Sequence, residues 1–486
     1  MADVDADGHI DVISGPLWWK GPDFKKPFAY APVKFFNIKG PGLSGYSHNF
    51  FTFPAFISKD KWVDIVKVGL PSQPAHWAKN PGEKPLPHTN TEHTCKHCQA
   101  QDNVCNESPQ LIDVIGDKKK ELLAYSHNQI TLAIPHADET KKWTVLPISA
   151  KLGRFSQYTH GLGAADIDGD GLTDVLEKQG WWQQPKNWDK KSPWIFHPFP
   201  FAPAQGGAQM FAYDIDGDGD NDVVTALNAH KYGMAWYEQI KENGKITFKP
   251  HTVMTDKPEG NPYGVCFSQP HAMQCIDIDG DGVKDLVTGK CFFAHNGNDP
   301  GAHDPAVLYW FRTVRHKDGS AELIPYKIDN NSGVGRQISV GDVNKDGKAD
   351  IVVGNKKGVF VFIQKEIKEG EEKVSQVLDP TTFNVHGPTI KYGVHQGKGF
   401  IGWWPADAMA TVPFSTTEAP HKGKKSGTEY NLRADISAAG HAGGLLKIVL
   451  STDPDPKKKG IQQWSKNIAP TSGWYAYKNL DLGNIK

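Results

Sequence analysis

Five short segments of the sequence carry aspartate at fixed intervals, in the pattern Asp-x-Asp/Asn-x-Asp-Gly-x-x-Asp. Carboxylates at positions 1, 3 and 5, a main-chain carbonyl at position 7 and a carboxylate at position 9 supply the oxygens that a hard cation needs. Glycine at position 6 permits the sharp turn. We therefore predict up to five structural calcium ions, with side-chain ligands Asp3, Asp5, Asp7, Asp11, Asp166, Asp168, Asp170, Asp174, Asp214, Asp216, Asp218, Asp222, Asp277, Asp279, Asp281, Asp285, Asp342, Asn344, Asp346 and Asp350.

A second set of polar residues stands at a constant separation from these segments. For example, His160 and His271 lie six residues before Asp166 and Asp277. Because a strand rises about 3.3 Å per residue, such residues should lie at the strand end remote from the calcium loop, and the next strand returns to that same face. There we expect the catalytic candidates His160, His230, His271, Lys290 and His295, and the substrate-binding candidates Gln209, Arg336, Gln337, Trp181 and Trp182.

These residue types suit proton abstraction beside a carbonyl group. Histidine titrates near neutral pH and can act as general base, while a lysine or a second histidine stabilises the enolate oxygen. This chemistry describes a sugar dehydratase or β-eliminating lyase, and exposed tryptophan faces suit sugar rings. A glycosidase with paired carboxylates is less favoured, because the aspartates are committed to calcium. The structural alternative is that these histidines are core residues and that the Trp-Trp pairs pack between sheets.

A cysteine and histidine cluster near residue 95 supports two interpretations. His93, Cys95, Cys98 and Cys105 have the ligand types of a zinc site. A disulfide in an exported loop explains the same cysteines equally well. Both interpretations remain open.

The aspartate segments belong to a longer repeat. Seven copies of a strand–loop–strand unit begin at residues 3, 56, 113, 166, 214, 277 and 342, and the copies at 56 and 113 read as having lost the carboxylates. A period near 50 residues, with 49 Gly and 34 Pro in the chain, is typical of propeller blades of about four short strands. We predict an all-β chain with a seven-bladed β-propeller over residues 1–365. Its first blade lacks the strand expected before Asp3 and is incomplete unless another segment fills that place.

The remaining quarter of the sequence follows a different pattern. Residues 366–379 begin with a charged run and read as a linker. In residues 380–486, alternating or apolar runs between turns predict a small β-sandwich that ends without its last strand.

At the aspartate loops the chain resembles FG-GAP/VCBS calcium-loop propellers across roughly residues 1–365. Within that class it looks most like VCBS proteins related to the propeller of the aldos-2-ulose dehydratase family, in the segments Thr159–Asp166, Gly180–Pro185, Asn228–Trp236 and Leu308–Phe311. The resemblance implies a lyase-type activity on a sugar, although no segment resembles the cupin domains of those enzymes. Residues 380–486 resemble a carbohydrate-binding jelly roll in His386–Tyr392, Gly402–Trp404 and Ser472–Gly483.

The composition of the chain disfavours nucleic-acid binding and membrane association. The formal net charge is −1, so no basic surplus favours nucleic acid or anionic membranes, and no apolar run is long enough for a membrane span. We expect an exported protein (secreted, periplasmic or at the cell surface) whose signal segment is absent from this chain. Its expected partner is a saccharide or polysaccharide, bound at the face opposite the calcium loops. The sharper form of this expectation is that the protein also processes the saccharide there by β-elimination or dehydration. The alternative is a non-catalytic adhesion or scaffold protein that binds polysaccharide or protein.

Overall fold

In the computed structural model, the chain divides into two compact units, residues 1–365 and 366–486. The structure describes residues 1–33, 46–82 and 99–365 of the first unit, and six strands between residues 384 and 485 of the second. Among these residues, no helix has the length and apolar character required to cross a bilayer.

The described part of the first unit forms seven antiparallel sheets, each built from consecutive strands, which confirms the predicted seven-bladed β-propeller. Blades 1 and 7 have three strands and the other blades have four. The strands are β1 (Val12–Ser14), β2 (Leu17–Trp19) and β3 (Pro27–Ala29) in blade 1; β4 (Phe51–Ala55), β5 (Asp64–Val68), β6 (Gln73–Ala78) and β7 (Gln99–Val104) in blade 2; β8 (Gln110–Ile112), β9 (Glu121–Ser126), β10 (Gln129–Ile134) and β11 (Thr144–Pro147) in blade 3; β12 (Leu162–Ala165), β13 (Asp174–Glu177), β14 (Gly180–Gln183) and β15 (Ile195–Pro198) in blade 4; β16 (Phe211–Tyr213), β17 (Asp222–Ala226), β18 (Met234–Glu242) and β19 (Lys245–Met254) in blade 5; β20 (Met273–Ile276), β21 (Asp285–Gly289), β22 (Leu308–Arg315) and β23 (Ala321–Asp329) in blade 6; and β24 (Ile338–Gly341), β25 (Asp350–Asn355) and β26 (Gly358–Phe362) in blade 7.

The first strand of each blade faces its counterparts around the propeller axis, as the contacts of β12 with β8 and β16 illustrate. Blade 1 departs from this plan, because its first strand is reduced to Ala2, which pairs with Asp11. Blades 7 and 2 instead meet directly: the Gln337 amide donates to the carbonyl of Thr52 and accepts from its N–H, both at 3.1 Å. Within the described residues, blade 1 thus consists of three strands and this single bridge.

A buried carboxylate at position 9 of the repeat braces every blade. The seven residues are at most 1% exposed: Asp11, Asp64, Glu121, Asp174, Asp222, Asp285 and Asp350. In blade 4, one oxygen of Asp174 accepts the N–H of Ile167 at 2.9 Å, and the other accepts the N–H of Gln184, after the third strand, at 2.8 Å. Each carboxylate thus fixes the first loop of its blade, and in six blades it also accepts an N–H from a residue within or just after the third strand.

The apolar core lies between neighbouring blades. Trp182 of blade 4, for example, is 3% exposed and packs in one cluster with Tyr125 and Phe155 of the blade 3 side. Burying an aromatic side chain of this kind contributes about 2–3 kcal/mol. Several blades repeat a further contact, in which a tryptophan of the third strand stacks on a ring of the fourth: Trp18 on Phe28, Trp181 on His197, Trp236 on His251 and Trp310 on Tyr326.

In the second unit, the described strands form three antiparallel pairs: β27 (Asn384–His386) with β30 (Met409–Thr411), β28 (Lys391–His395) with β29 (Lys398–Gly402), and β31 (Tyr430–Ile436) with β32 (Lys478–Ile485). The predicted linker 366–379 lies outside the described residues, as does most of the predicted sandwich 380–486. The sandwich therefore remains a prediction.

Asp64 tests the carboxylate brace in a blade whose loop lacks the calcium pattern. It accepts the N–H groups of Ile57, Ser58 and Asn80 at 2.7–3.1 Å. Asp64→Asn removes the charge and turns an NH₂ group toward these donors, so we expect the free energy of unfolding to fall by about 3 kcal/mol. Urea unfolding followed by tryptophan fluorescence measures this change. The matched control Asp60→Asn, in the same loop and exposed, should cost less than about 1 kcal/mol. Equal losses in the two variants would contradict the brace.

Candidate functional site

Four buried polar residues from four blades meet at the propeller axis. Each stands six residues before the start of the repeat in its blade: Glu107, His160, His271 and Arg336. The repeat turns the same position of each first strand toward the axis, on the face opposite the aspartate loops. In blade 2 this position is Phe50, whose ring lies 5.6 Å from the Arg336 guanidinium. We call Glu107, His160, His271 and Arg336 the buried layer.

The buried layer is tightly connected. Nε2 of His160 lies 3.1 Å from Nε2 of His271, and Oε2 of Glu107 lies 3.7 Å and 3.2 Å from these two nitrogens. Arg336 Nε donates to the same Oε2 at 2.6 Å, while its Nη1 lies 2.9 Å from Cys291 Sγ. His160, His271 and Glu107 are at most 4% exposed. Three polar atoms from three blades therefore converge on one point.

The residues of the buried layer differ in charge: one carboxylate–guanidinium pair is ionised, and two imidazole rings are neutral. Burial works to raise the pKa of Glu107, but the Arg336 guanidinium and hydrogen bonds from His160 and His271 hold it well below its usual range. Burial lowers the pKa of His160, and burial together with Arg336 lowers the pKa of His271 well below its usual value. At neutral pH the layer thus contains a carboxylate–guanidinium pair and two neutral imidazoles.

A second layer of side chains covers the first and reaches solvent. Asp299 lies between two histidines: its Oδ2 is 3.1 Å from Nδ1 of His230, and its Oδ1 is 2.9 Å from Nδ1 of His295. The rings of His230 and His295 stack at 4.3 Å, and the His230 ring lies 5.2 Å and 5.0 Å from those of His160 and His271. The His295 side chain is 50% exposed and that of His230 is 21% exposed. We call His230, His295 and Asp299 the outer layer.

Asp299 sets the orientation of both outer histidines. A carboxylate accepts the proton of Nδ1, which leaves Nε2 of each ring as the basic atom. Burial, followed by the nearby His160, Arg336 and His295, lowers the pKa of His230 to about 4 in spite of Asp299. His230 is consequently neutral at physiological pH.

Backbone strain accompanies the outer layer. The loop between β21 and β22 contains Phe293, His295 and Asn296 at φ values of 54°, 45° and 56°. Left-handed backbone at residues other than glycine costs about 1–3 kcal/mol each and concentrates at functional sites. Asn298 supports the loop, because its side-chain amide donates to the His295 carbonyl at 2.9 Å. The conformation of this loop therefore holds the His295 ring against the ring of His230.

The structure brings His160, His230, His271, His295 and Arg336 together, as the sequence predicted, but it places other candidates elsewhere. Lys290 is fully buried and its ammonium donates to the carbonyl of Ala302 at 3.0 Å. The amide of Gln209 donates to the carbonyl of Arg336 and accepts from the N–H of Met273. Both side chains brace the backbone around the hub, as Gln337 does at Thr52, and this corrects the expectation that they face a ligand.

The two tryptophans expected to contact substrate also require a correction. Trp181 and Trp182 are 2% and 3% exposed and lie in the apolar clusters on the two sides of blade 4. Neither offers a face to a sugar ring, because neighbouring side chains cover both. Packing between blades, the structural alternative, explains this pair.

Sequence reasoning missed Glu107, Asp299 and Cys291. A signal existed for Glu107, which lies six residues before the third repeat start at residue 113, the separation that identified His160 and His271. Asp299 carried no comparable signal, because its loop between β21 and β22 is specific to blade 6.

The aspartate loops differ in the side chain that faces them. In blade 1, Lys20 contacts Asp5 and lies 2.9 Å from Asp7. In blade 6, Arg312 lies 2.6 Å from Asp279 and 3.1 Å from Asp281. In blade 4, the Gln183 amide contacts Asp168, whereas Asp166, Asp168 and Asp174 still offer oxygens within 4.8 Å of one another. In blade 5, Arg315 lies 3.7 Å from Asp214, so three of the five loops carry a cation supplied by the protein. Asp3, Asp5 and Asp11 of blade 1 nevertheless also offer oxygens within 4.8 Å of one another.

The third repeat corrects the expectation that its loop lost the carboxylates. Asp113, Asp117 and Glu121 occupy positions 1, 5 and 9, and their oxygens lie within 4.8 Å of one another. The copy in blade 2 keeps Asp60 and Asp64 at positions 5 and 9.

Part of the cysteine cluster lies outside the described residues, namely His93, Cys95 and Cys98. Cys105 is buried, and its thiol donates to Oδ1 of Asn103 at 3.0 Å. The zinc site and the disulfide both remain predictions.

Comparisons with known proteins support the repeat assignment. Residues 214–288 match the FG-GAP-like repeat, and residues 334–361 match the FG-GAP repeat. These matches cover parts of blades 5, 6 and 7, so the propeller contains FG-GAP repeats. A comparison with curated protein sequences finds no match. Among solved structures, one similar chain is a lectin from Agrocybe aegerita described as recognising non-reducing terminal N-acetylglucosamine. It shares 16% identity at a TM-score of 0.40, over 68% of this chain and 79% of that chain.

The ion pair of the buried layer is tested by a double-mutant cycle. Arg336→Gln leaves the buried Glu107 carboxylate without its cation, so we expect the free energy of unfolding to fall by about 4 kcal/mol. The double variant Glu107→Gln/Arg336→Gln removes both charges and should be more stable than Arg336→Gln alone. Urea denaturation of the three variants and the parent protein gives the coupling energy. Additive losses from the two single substitutions would contradict a coupled pair.

Proposed function

We propose that the hub face is an acid–base site that acts on a carbonyl-bearing saccharide as a carbon–oxygen lyase. One observation carries the proposal: the Asp299 carboxylate bonds Nδ1 of both His230 and His295, and thereby leaves Nε2 of the exposed ring, His295, as a base at the hub surface. An oriented imidazole is the group most often used for proton transfer near neutral pH.

The proposed reaction is a dehydration. Nε2 of His295 takes the proton from the carbon next to the substrate carbonyl, and the electron pair of that C–H bond moves toward the carbonyl oxygen as an enolate. The enolate then collapses, the bond to the β-hydroxyl breaks, and this hydroxyl leaves as water with the proton returned from His295. The product contains a carbon–carbon double bond conjugated to the carbonyl.

The saccharide substrate class rests on the family resemblance and on the polarity of the site. Two of the segments that resemble the aldos-2-ulose dehydratase propellers, Thr159–Asp166 and Asn228–Trp236, contain His160 and His230. Both histidines belong to the hub cluster. Imidazoles and a carboxylate at the hub surface provide the donors and acceptors that a hydroxyl-rich ligand needs.

The test is turnover on a panel of keto-sugars and uronic polysaccharides, followed by the absorbance of the conjugated enone. His295→Ala should lower kcat/KM by about 100-fold or more, because the base is lost. The matched control is His127→Ala, an exposed histidine in the corresponding loop of blade 3. If no sugar of the panel yields an enone while the protein still binds glycans, a non-catalytic adhesion or scaffold protein explains the hub better.

We also propose that the aspartate loops bind calcium, with a rank order set by the third strand. The carboxylates of blade 4 fit one ion between Asp166, Asp168 and Asp174, whose oxygens lie within 4.8 Å of one another. In blades 1 and 6 an incoming ion meets Lys20 or Arg312. Calcium there would hold the loop and contribute stability rather than chemistry.

Arg312→Ala tests this rank order. Because removal of the guanidinium ends its repulsion of an incoming cation, we expect the loop of blade 6 to bind calcium about tenfold more tightly. Calorimetric calcium titration of the variant and the parent protein measures the change. Lys327→Ala, in the fourth strand of the same blade, is the control and should leave the titration unaltered. Identical titrations of all three proteins would reject the competition.

A further inference from the structure

We propose that Tyr158 forms a second saccharide subsite at the mouth of the hub, so that the ligand is a chain of at least two sugar units. One unit lies against His295, and the neighbouring unit stacks on the Tyr158 ring. The inference rests on the proposed function for the class of ligand. It adds a specificity-determining residue and a minimum chain length, both of which are measured by binding and not by turnover.

The exposure of Tyr158 sets it apart from its counterparts in the repeat. It stands two residues before His160, the buried-layer residue of blade 4. The residues at the same position in the other three blades that supply the buried layer are at most 6% exposed: Cys105, Gln269 and Val334. Tyr158 is 47% exposed. Among these four blades, blade 4 alone thus presents a side chain to solvent at this position, and that side chain is aromatic.

The backbone of Tyr158 is held in the left-handed region. Its φ angle is 63°, a value that a bulky side chain seldom adopts. Contacts on both sides fix this conformation. The Tyr158 N–H donates to the carbonyl of Cys105 at 2.9 Å, the Gln157 amide donates to the carbonyl of Pro71 at 3.0 Å, and the His160 N–H donates to the carbonyl of Gln205 at 2.8 Å. Such strain persists only where the surrounding structure enforces it.

Tyr158 lies beside the outer layer, on the hub face. Two residues of chain span at most about 7 Å, so the Cα atom of Tyr158 is within that distance of the Cα atom of His160. The His160 ring lies 5.2 Å from the ring of His230, which stacks on His295 at 4.3 Å. In the described part of the chain, the ring contacts of these three histidines do not include Tyr158. A sugar at Nε2 of His295 therefore leaves the Tyr158 ring open for the next unit.

A tyrosine ring has the chemistry that such a unit requires. Its π face carries partial negative charge, which attracts the C–H groups on one face of a sugar ring. The phenol group can also exchange a hydrogen bond with a sugar hydroxyl. Ordering a tyrosine costs little conformational entropy, because the side chain has only two χ angles. Trp181 and Trp182 cannot supply this face, since neighbouring side chains cover them.

The experiment measures how the affinity of the full chain depends on saccharide length. The probes are fructose, as a single keto-sugar, and the one- to four-unit fragments of pectate, alginate and hyaluronan, each titrated calorimetrically. For at least one of these polymers we expect fragments of two or more units to bind the parent protein about tenfold more tightly than the single unit. Equal affinity for one unit and for longer fragments in every series, or no binding of any fragment, overturns the inference.

Substitutions at Tyr158 separate a ligand contact from a packing role. Tyr158→Phe keeps the ring and should retain the advantage of the longer fragments within about twofold. Tyr158→Ala should remove that advantage and leave the affinity for the single unit unchanged. Tyr158→Gly should remove it as well and yet raise the midpoint of urea unfolding, because glycine adopts left-handed backbone without steric cost. The matched control is Tyr326→Ala, a 45% exposed tyrosine in the outermost strand of blade 6, which should keep the advantage.

Two further results decide against the subsite. Unchanged affinity for the longer fragments in a folded Tyr158→Ala protein overturns it, and so does a Tyr158→Gly protein that loses stability together with binding, because Tyr158 would then serve packing. The enone assay is a separate measurement. A dependence on chain length without enone formation rejects the lyase alone, whereas enone formation without such a dependence rejects the subsite alone.

Discussion

The buried carboxylate at position 9 of the repeat is the interaction on which the propeller depends. In every blade this residue accepts a main-chain N–H of the first loop. In six blades it also accepts an N–H from a residue within or just after the third strand. A buried carboxylate is stable only when such donors surround it. It therefore fixes the register of three strands at once, and this register decides where the opposite end of each first strand lies.

The hub follows from that register. In blades 3, 4, 6 and 7 the residue six positions before the repeat start lies at the axis. Glu107, His160, His271 and Arg336 therefore become neighbours although they are up to 229 residues apart in sequence. The repeated position provides the buried layer of the site. Blade-specific loops then add the outer layer, and the strained loop that carries His295 is the clearest case. The repeated blades thus surround a hub whose residues differ from one blade to the next.

Repetition also explains which features were predictable from sequence. The seven blades and the gathering of His160, His230 and His271 follow from spacing alone, because each blade repeats one geometry. The exposure of a side chain does not follow from spacing. The sequence therefore suggests a ligand-facing role for Trp181 and Trp182, which pack between blades, and for Lys290, whose ammonium donates to a backbone carbonyl. The role of Asp299 could not be predicted from spacing, since no other blade contains its loop.

The central claim is that side chains from separate blades form one ligand-binding centre at the hub. Diffraction from crystals soaked with a keto-sugar tests it most directly. The account predicts electron density for the sugar against Nε2 of His295, on the face opposite the aspartate loops. A map with no sugar at the hub, and with the rings of His160, His230 and His271 turned away from one another, would contradict it.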